Sequence, residues 1–243
     1  MSWEIYAGVL SVVLLAYFMF GVSGFGSSLI AVPLLSNFLP LRSAVMLALI
    51  LDLISAVILS RKEKYHVRWD EIKPMLPFAL FGIVAGAAML SRVPSRPLFF
   101  VLGIFVTLIG LRYLLVRPGK SAISRRWSML AGMAGGTASA LFGTGGPAYM
   151  SYLAHRLTNR SELRATFSGL LALDGGLRVA VFIITGLFFT SLDLRTLAVA
   201  LPAMVLGLVL GHRTHKVLSN RHIKQLTAVL LLISGMSLLI RAI

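Results

Sequence analysis

Cysteine is absent from the 243-residue chain, and acidic residues are scarce, with eight against 23 lysines and arginines. The absence of cysteine excludes disulfides, thiolate metal sites and thiol nucleophiles. Charged residues make up only 13% of the chain, 58% of it is hydrophobic and the mean hydropathy is +0.90. This composition excludes an ordinary soluble globular domain and predicts an integral membrane protein that binds lipid and holds no cofactor.

The net charge of +15 does not predict a nucleic-acid partner, because the basic residues lie in short loops between apolar runs. Assigning these loops alternately to two faces puts seventeen lysines and arginines on one face and five on the other. The richer face is expected in the cytoplasm, so both termini should lie outside. The first apolar run has no basic lead or cleavage site, so we expect it to be retained.

Ten apolar runs, bounded by charges or turn residues, predict an all-α polytopic protein. They cover residues 5–20, 27–39, 42–60, 74–91, 97–116, 127–142, 147–157, 165–187, 195–211 and 222–241. A helix needs about 20 residues to cross the hydrocarbon core. The runs at 27–39 and 147–157 fall short of that length and are interpreted as half-helices, either crossing or re-entrant.

The ten runs form two sets of five that match each other in order along the chain. A shift of 122 residues lays Arg42 on Arg164 and Asp52 on Asp174, and a shift of 125 lays Gly82 on Gly207. We therefore predict two transmembrane repeats, 1–120 and 121–243, in one transmembrane domain. Each repeat crosses an odd number of times, three or five, so the second repeat should be inverted relative to the first.

Two glycine-rich segments interrupt the runs at matching places in the two repeats. They are Ser23, Gly24, Phe25, Gly26, Ser27 and Ser28, which follow Gly21, and Gly143, Thr144, Gly145, Gly146 and Pro147. One interpretation is close helix packing. The other is a pair of broken helices, because proline suits the first turn of a helix and a helix N-terminus binds anions. The duplication favours broken helices, with Ser23, Ser27, Ser28 and Thr144 adding hydroxyl donors.

Asp52 and Asp174 lie near the middle of apolar runs, and Arg178 also lies inside one, so the cost of placing a charge there marks all three as functional candidates. Asp174 and Arg178 are four residues apart on one helical face, close enough for an ion pair. The pair is either functional or a structural neutralisation. Asp52 lacks such a neighbour, since the shift of 122 puts Ala56 where Arg178 stands. Its partner comes from elsewhere, or it titrates, in which case it would couple transport to protons.

An enzyme is the weaker interpretation. Gly21 to Gly24 fits the G-x-S-G of intramembrane proteases, but that chemistry needs a histidine at the same depth. All five histidines fall in or beside predicted cytoplasmic loops. Gly119-Lys120-Ser121 lacks the rest of a nucleotide-binding loop, so direct use of ATP is not predicted.

The duplicated halves with Gly21, Gly24, Gly26 and Pro33 in the first and Gly143 to Pro147 in the second resemble the TauE/SafE family of sulfite-exporter-like permeases. The resemblance covers essentially the whole chain. It implies a bacterial inner-membrane carrier for small anions such as sulfite, sulfoacetate or related sulfonates. We expect the two breaks to meet at a pseudo-two-fold axis and to hold the anion between helix N-termini. An anion channel and a non-transporting scaffold are the alternatives.

Overall fold

A computed structural model describes residues 3–23, 26–60, 67–115, 123–191, 193–214 and 220–242. These residues form helices and connecting turns, with no strand among them. The helices are α1 (Trp3–Ser23), α2 (Ser27–Leu35), α3 (Leu41–Ser60), α4 (Trp69–Ile72), α5 (Leu76–Arg92), α6 (Ser95–Leu115), α7 (Trp127–Phe142), α8 (Gly146–Arg156), α9 (Arg160–Ile184), α10 (Leu187–Ser191), α11 (Leu194–Thr214) and α12 (Asn220–Ala242).

The helices confirm the all-α polytopic fold. Within the described part of the chain, five of them are long and apolar enough to cross a membrane: α1, α6, α9, α11 and α12. The two runs interpreted as half-helices form α2, with 9 residues, and α8, with 11. At 1.5 Å per residue, neither can cross a core of about 30 Å. Two short helices, α4 and α10, were not predicted.

The chain divides into two compact units that do not follow the predicted halves. Unit 1 comprises Met1–Ser55, Val93–Val116 and Ser191–Ile243, and unit 2 comprises Ala56–Arg92 and Arg117–Thr190. Each unit thus combines segments from both halves of the sequence. The division into repeats at 1–120 and 121–243 describes sequence similarity, and it stays a prediction.

In unit 1, α1 packs against α11 and α6 against α12. Glycines make the first of these contacts close. A Cβ added to Gly207 would lie 2.5 Å from the Leu14 carbonyl oxygen, and one added to Gly21 would lie 2.6 Å from that of Leu208. Gly21 is therefore a packing residue inside α1, because no side chain fits between the two backbones.

In unit 2, α5 packs against α7 in the same manner. A Cβ at Gly132 would lie 2.6 Å from the Met75 carbonyl oxygen, and Gly82 faces the carbonyl of Met133. The Gly82 contact matches the contact of Gly207 with Leu14, at shifts of 125 and 119 residues. These glycines therefore serve close helix packing, and the matched contacts support a duplication. The inversion of the repeats stays a prediction.

Candidate functional site

The second glycine break lies between α7 and α8 in unit 2. Gly143 ends α7 with φ of 75°, a left-handed backbone conformation that residues other than glycine rarely adopt. Its N–H donates to the Ser139 carbonyl at 2.9 Å, which closes the helix. Helix α8 begins at Gly146, with Pro147 in its first turn. The predicted break followed by a short helix is thus confirmed.

Backbone donors are left over at this break. Thr144 is 8% exposed and Gly145 is also buried. The N–H groups of Thr144, Gly145 and Gly146 donate to no acceptor in the described part of the chain, and neither does the Thr144 hydroxyl. Free N–H groups at a helix N-terminus carry partial positive charge and favour an anion. The break can therefore supply several hydrogen bonds to an oxyanion.

Gly145 is constrained by space and not by backbone conformation. Its φ is −92° and its ψ −9°, values open to any residue, so its backbone conformation does not require glycine. A Cβ at Gly145 would lie 2.6 Å from both the Gly135 carbonyl oxygen and the Tyr149 ring. Gly146 is less crowded, with its nearest neighbour, Phe167, at 3.5 Å from such a Cβ. The need for glycine at 145 thus comes from close packing.

The first glycine break lies between α1 and α2 in unit 1. Gly26 directly precedes α2 and has φ of 89° and ψ of 11°. Among the described residues, a Cβ there would meet only the Leu29 side chain, at 3.9 Å, so the left-handed backbone is the constraint. Gly24, Phe25 and the side chain of Ser23 lie outside the described residues. Their role in binding a substrate stays a prediction.

Asp52 in unit 1 accepts hydrogen bonds from three hydroxyl groups. The Tyr17 and Ser27 hydroxyls donate to Oδ1, at 2.7 and 2.6 Å, and that of Ser28 donates to Oδ2. The three donors are buried, while Asp52 itself is partly exposed. The hydrogen-bond partners of Asp52 therefore lie on α1 and α2. This agrees with the first of the two alternatives from the sequence, that its partner comes from elsewhere in the chain. Ser27 and Ser28 bind this carboxylate here, and their role as substrate ligands stays a prediction.

Asp174 in unit 2 has a comparable environment. The Tyr149 hydroxyl donates to Oδ1 at 2.6 Å and the Ser139 hydroxyl donates to Oδ2 at 2.5 Å. All three residues are buried, with Asp174 only 3% exposed. Hydroxyl donors satisfy a carboxylate that water cannot reach, which offsets part of the cost of burying it. The same arrangement ties α9 to both helices that flank the break.

Tyr17, Ser139 and Tyr149 are the members of these clusters that sequence reasoning missed. The shift of 122 residues that pairs Asp52 with Asp174 also pairs Tyr17 with Ser139 and Ser27 with Tyr149. Each carboxylate is therefore bonded by one tyrosine and at least one serine, with the two residue types exchanged between the halves. Matching by hydrogen-bonding group, in place of residue identity, would have found them.

The expected ion pair between Asp174 and Arg178 is not formed. The ion pairs within 4.0 Å among the described residues are Arg68–Glu162 and Arg156–Glu71. Arg178 is 4% exposed, and its Nη1 donates instead to the Ser139 carbonyl at 2.7 Å. Ser139 therefore stands between the two charges: its hydroxyl bonds Asp174 and its carbonyl bonds Arg178.

A second buried charge cluster fixes the far end of α8. Glu71 on α4 is 5% exposed and binds Arg156, with 2.7 Å between Oε1 and Nη2, and accepts from the Tyr152 hydroxyl at 2.6 Å. Burial alone would raise the pKa of Glu71, but the hydrogen bonds from Arg156 and Tyr152 outweigh it and lower the pKa. The chain offered no spacing signal for this cluster, because 85 residues separate Glu71 and Arg156.

Comparison with known proteins identifies the family of this chain. The family model described as "Sulfite exporter TauE/SafE" matches residues 9–238. The chain belongs to the TauE/SafE family. This TauE/SafE protein is also 29% identical over 195 residues to a "Probable inner membrane transporter protein TsaS" of Comamonas testosteroni, over 79% of this chain and 81% of that protein. No solved structure gives a significant match. Family membership and the relative's name support a membrane transporter.

Proposed function

We propose that this protein is a secondary carrier of a small sulfur-containing anion, such as sulfite, sulfoacetate or a related sulfonate, in the bacterial inner membrane. The observation that carries the proposal is the break before α8. There the backbone N–H groups of buried Thr144 and Gly145 and of half-buried Gly146, together with the Thr144 hydroxyl, donate to no acceptor in the described part of the chain. Irregular backbone survives at membrane depth only where it faces protein or a wet cavity. A desolvated anion at this break would accept hydrogen bonds from these N–H groups and from the hydroxyl.

Proton coupling through Asp52 is the second part of the proposal. Asp52 is partly exposed and lies on α3, beside the helix that follows the first break. A carboxyl group at membrane depth that gains a proton on one side and loses it on the other links anion movement to the pH gradient. The hydroxyls of Ser27 and Ser28 can turn to accept when Asp52 carries the proton, because a hydroxyl both donates and accepts.

Purified protein in liposomes tests the proposal. The panel is sulfite, thiosulfate, sulfoacetate, sulfate and small carboxylates, each measured as uptake into vesicles loaded with the same or another anion. Saturable flux that is stimulated by anion on the opposite side supports a carrier. Flux that rises without saturation indicates a channel, and no flux with any anion indicates a scaffold.

The inverted threading, with both termini outside, is part of the same proposal and rests on the distribution of lysine and arginine. Single cysteines introduced at Ser2 and Ser121 make a direct test, because the chain has no other cysteine. In intact cells, an impermeant maleimide should label the Ser2→Cys protein and should label the Ser121→Cys protein only after lysis. Labelling of both from outside would reject this threading.

A further inference from the structure

Arg178 is a buried cation whose hydrogen-bonding groups are only partly satisfied. Its side chain lies on α9 and is 4% exposed. Nη1 donates to the Ser139 carbonyl, but Nε is buried and has no hydrogen-bond partner among the residues that the structure describes. A buried donor without a partner is costly, and more so when it belongs to a charged group. The guanidinium therefore has unused donor capacity.

The neighbouring carboxylate does not use that capacity. Both oxygens of Asp174 accept from the hydroxyls of Tyr149 and Ser139, and Asp174 forms no ion pair within 4.0 Å in the described chain. Asp174 still lowers the electrostatic cost of holding Arg178 in a dry environment, since opposite charges attract strongly at low dielectric. It leaves the guanidinium N–H groups open to another acceptor.

The open guanidinium lies at the second glycine break. The Ser139 carbonyl accepts hydrogen bonds from Arg178 Nη1 and also from the Gly143 N–H, the latter at 2.9 Å. The guanidinium is therefore bonded to the same carbonyl as the glycine that ends α7. The N–H groups of Thr144, Gly145 and Gly146, unpaired in the described chain, follow directly. A buried side-chain donor and a set of backbone donors therefore lie beside the same turn in unit 2.

We infer that Arg178 is the charged ligand of the anion and that the site takes an oxyanion. A guanidinium donates two parallel N–H groups to two oxygens of one carboxylate, sulfite or sulfonate group, a geometry that a halide cannot use. The inference rests on the proposed transport function and deepens it by naming the residue that recognises the charge. The equivalent position of the first half is Ala56, so the sequence supplies this ligand once.

Two variants separate anion binding from simple neutralisation of Asp174. Arg178→Lys keeps the charge and removes the planar pair of donors. The double variant Asp174→Asn/Arg178→Met removes both charges and leaves neither of them stranded. Purified full-length proteins are titrated calorimetrically with sulfite, sulfoacetate and chloride, and folding is followed by size-exclusion profile and thermal unfolding. Arg241→Lys in unit 1, whose guanidinium lies 5.3 Å above the Phe99 ring, is the matched control.

We expect Arg178→Lys to weaken oxyanion binding about tenfold or more, since a bidentate charge-assisted contact is lost. The double variant should fold and show no oxyanion binding, while the Arg241→Lys protein binds as the wild type does. Wild-type affinity in the folded double variant would overturn the inference and leave the proposed function standing. Loss of folding in both Arg178 variants would also overturn it, in favour of a structural role. A wild-type protein that binds no anion of the panel would instead reject the proposed function.

Discussion

The carboxylate clusters of units 1 and 2 occupy equivalent positions of the two halves but differ in charge and exposure. Asp52 and Asp174 each accept from one tyrosine and at least one serine hydroxyl. Asp52 is partly exposed and has Ala56 one turn later, whereas Asp174 is 3% exposed and has the buried Arg178 one turn later. The two halves thus share a hydroxyl-bound carboxylate, and only the second has a cation one turn later. In our proposal, the Asp52 cluster of unit 1 responds to protons and the Asp174–Arg178 region of unit 2 binds the anion.

Replacing the two carboxylates separately should give the largest difference. Asp52→Asn should remove accumulation driven by a pH gradient while leaving anion exchange intact, because the amide cannot carry the proton. For one proton per anion, a gradient of one pH unit sustains about a tenfold concentration ratio, equivalent to about 1.4 kcal/mol. Uptake into liposomes with and without the gradient measures this ratio. A ratio that persists in Asp52→Asn, or that is absent from the wild type, would make Asp52 a strut between helices.

Asp174→Asn should mainly damage folding, because it removes the negative charge nearest to Arg178 and disturbs two buried hydroxyl bonds. We expect a loss of about 1–3 kcal/mol per buried group left unsatisfied. The yield of monodisperse protein and its unfolding temperature, compared with those of Asp52→Asn, provide the measurement. Equal stability of the two variants would show that the added cation does not distinguish the clusters.

The two glycine breaks should respond differently to asparagine. Gly26→Asn should be tolerated, because asparagine accepts a left-handed backbone and the space around Gly26 is open. Gly145→Asn should cost about 1–3 kcal/mol by overpacking against Gly135 and Tyr149. Thermal unfolding compares the two proteins directly. Greater destabilisation at Gly26 would contradict the distinction between conformation and space.

Valine at either glycine should abolish anion binding, although for different reasons. At Gly26 its branched side chain is incompatible with φ of 89°, and at Gly145 it has no room. Calorimetric titration with sulfite follows binding, and the size-exclusion profile confirms that the protein remains folded. Near wild-type affinity in both valine variants would show that neither glycine belongs to the anion site.

The Glu71–Arg156 cluster, which belongs to unit 2, predicts a smaller and pH-dependent effect. The pKa of Glu71 is lowered in the folded protein, so its stabilising contribution is present above the ordinary value of 4.5 and is lost as the pH falls through the lower, folded pKa. Glu71→Gln should remove this acid-dependent loss. At neutral pH it should cost about 1–2 kcal/mol, less than a fully buried pair because the Arg156 side chain is 29% exposed. Unfolding temperature against pH, for the variant and the wild type, tests both statements.

Asp193 in unit 1 offers the smallest expected effect and a control for the previous one. Its carboxylate accepts from the Thr196 hydroxyl at 2.5 Å and the Arg195 N–H at 3.1 Å, and chiefly the Thr196 bond lowers its pKa. Asp193→Ala should cost about 1 kcal/mol, the usual value of an N-cap. A larger loss of stability in Asp193→Ala than in Glu71→Gln would contradict the expectation that the Glu71 cluster stabilises the fold more than Asp193 does.

Sequence reasoning reached the helices and the breaks because both depend on local chemistry. Apolar length predicted which segments could cross a membrane, and Pro147 fixed the start of α8 to within one residue. It singled out Asp52, Asp174 and Arg178 because they are charged and lie within apolar runs. It could not find Tyr17, Tyr149 or Glu71 as partners, since those contacts join residues 25 to 85 positions apart.

By itself, the sequence determined an all-α membrane protein, its two glycine breaks and the positions of the charges within the apolar runs, and it predicted the duplication. These follow from hydropathy, spacing and the backbone freedom of glycine, which are properties of the chain alone. Only the tertiary structure decided that hydroxyl groups bind Asp52 and Asp174, that Arg178 bonds the Ser139 carbonyl, and that each compact unit draws on both halves. The physical reason is that helical spacing determines which side chains are close enough to interact, but not which hydrogen bonds they form. Packing of other helices brings competing donors and acceptors, and those determine which hydrogen bonds form.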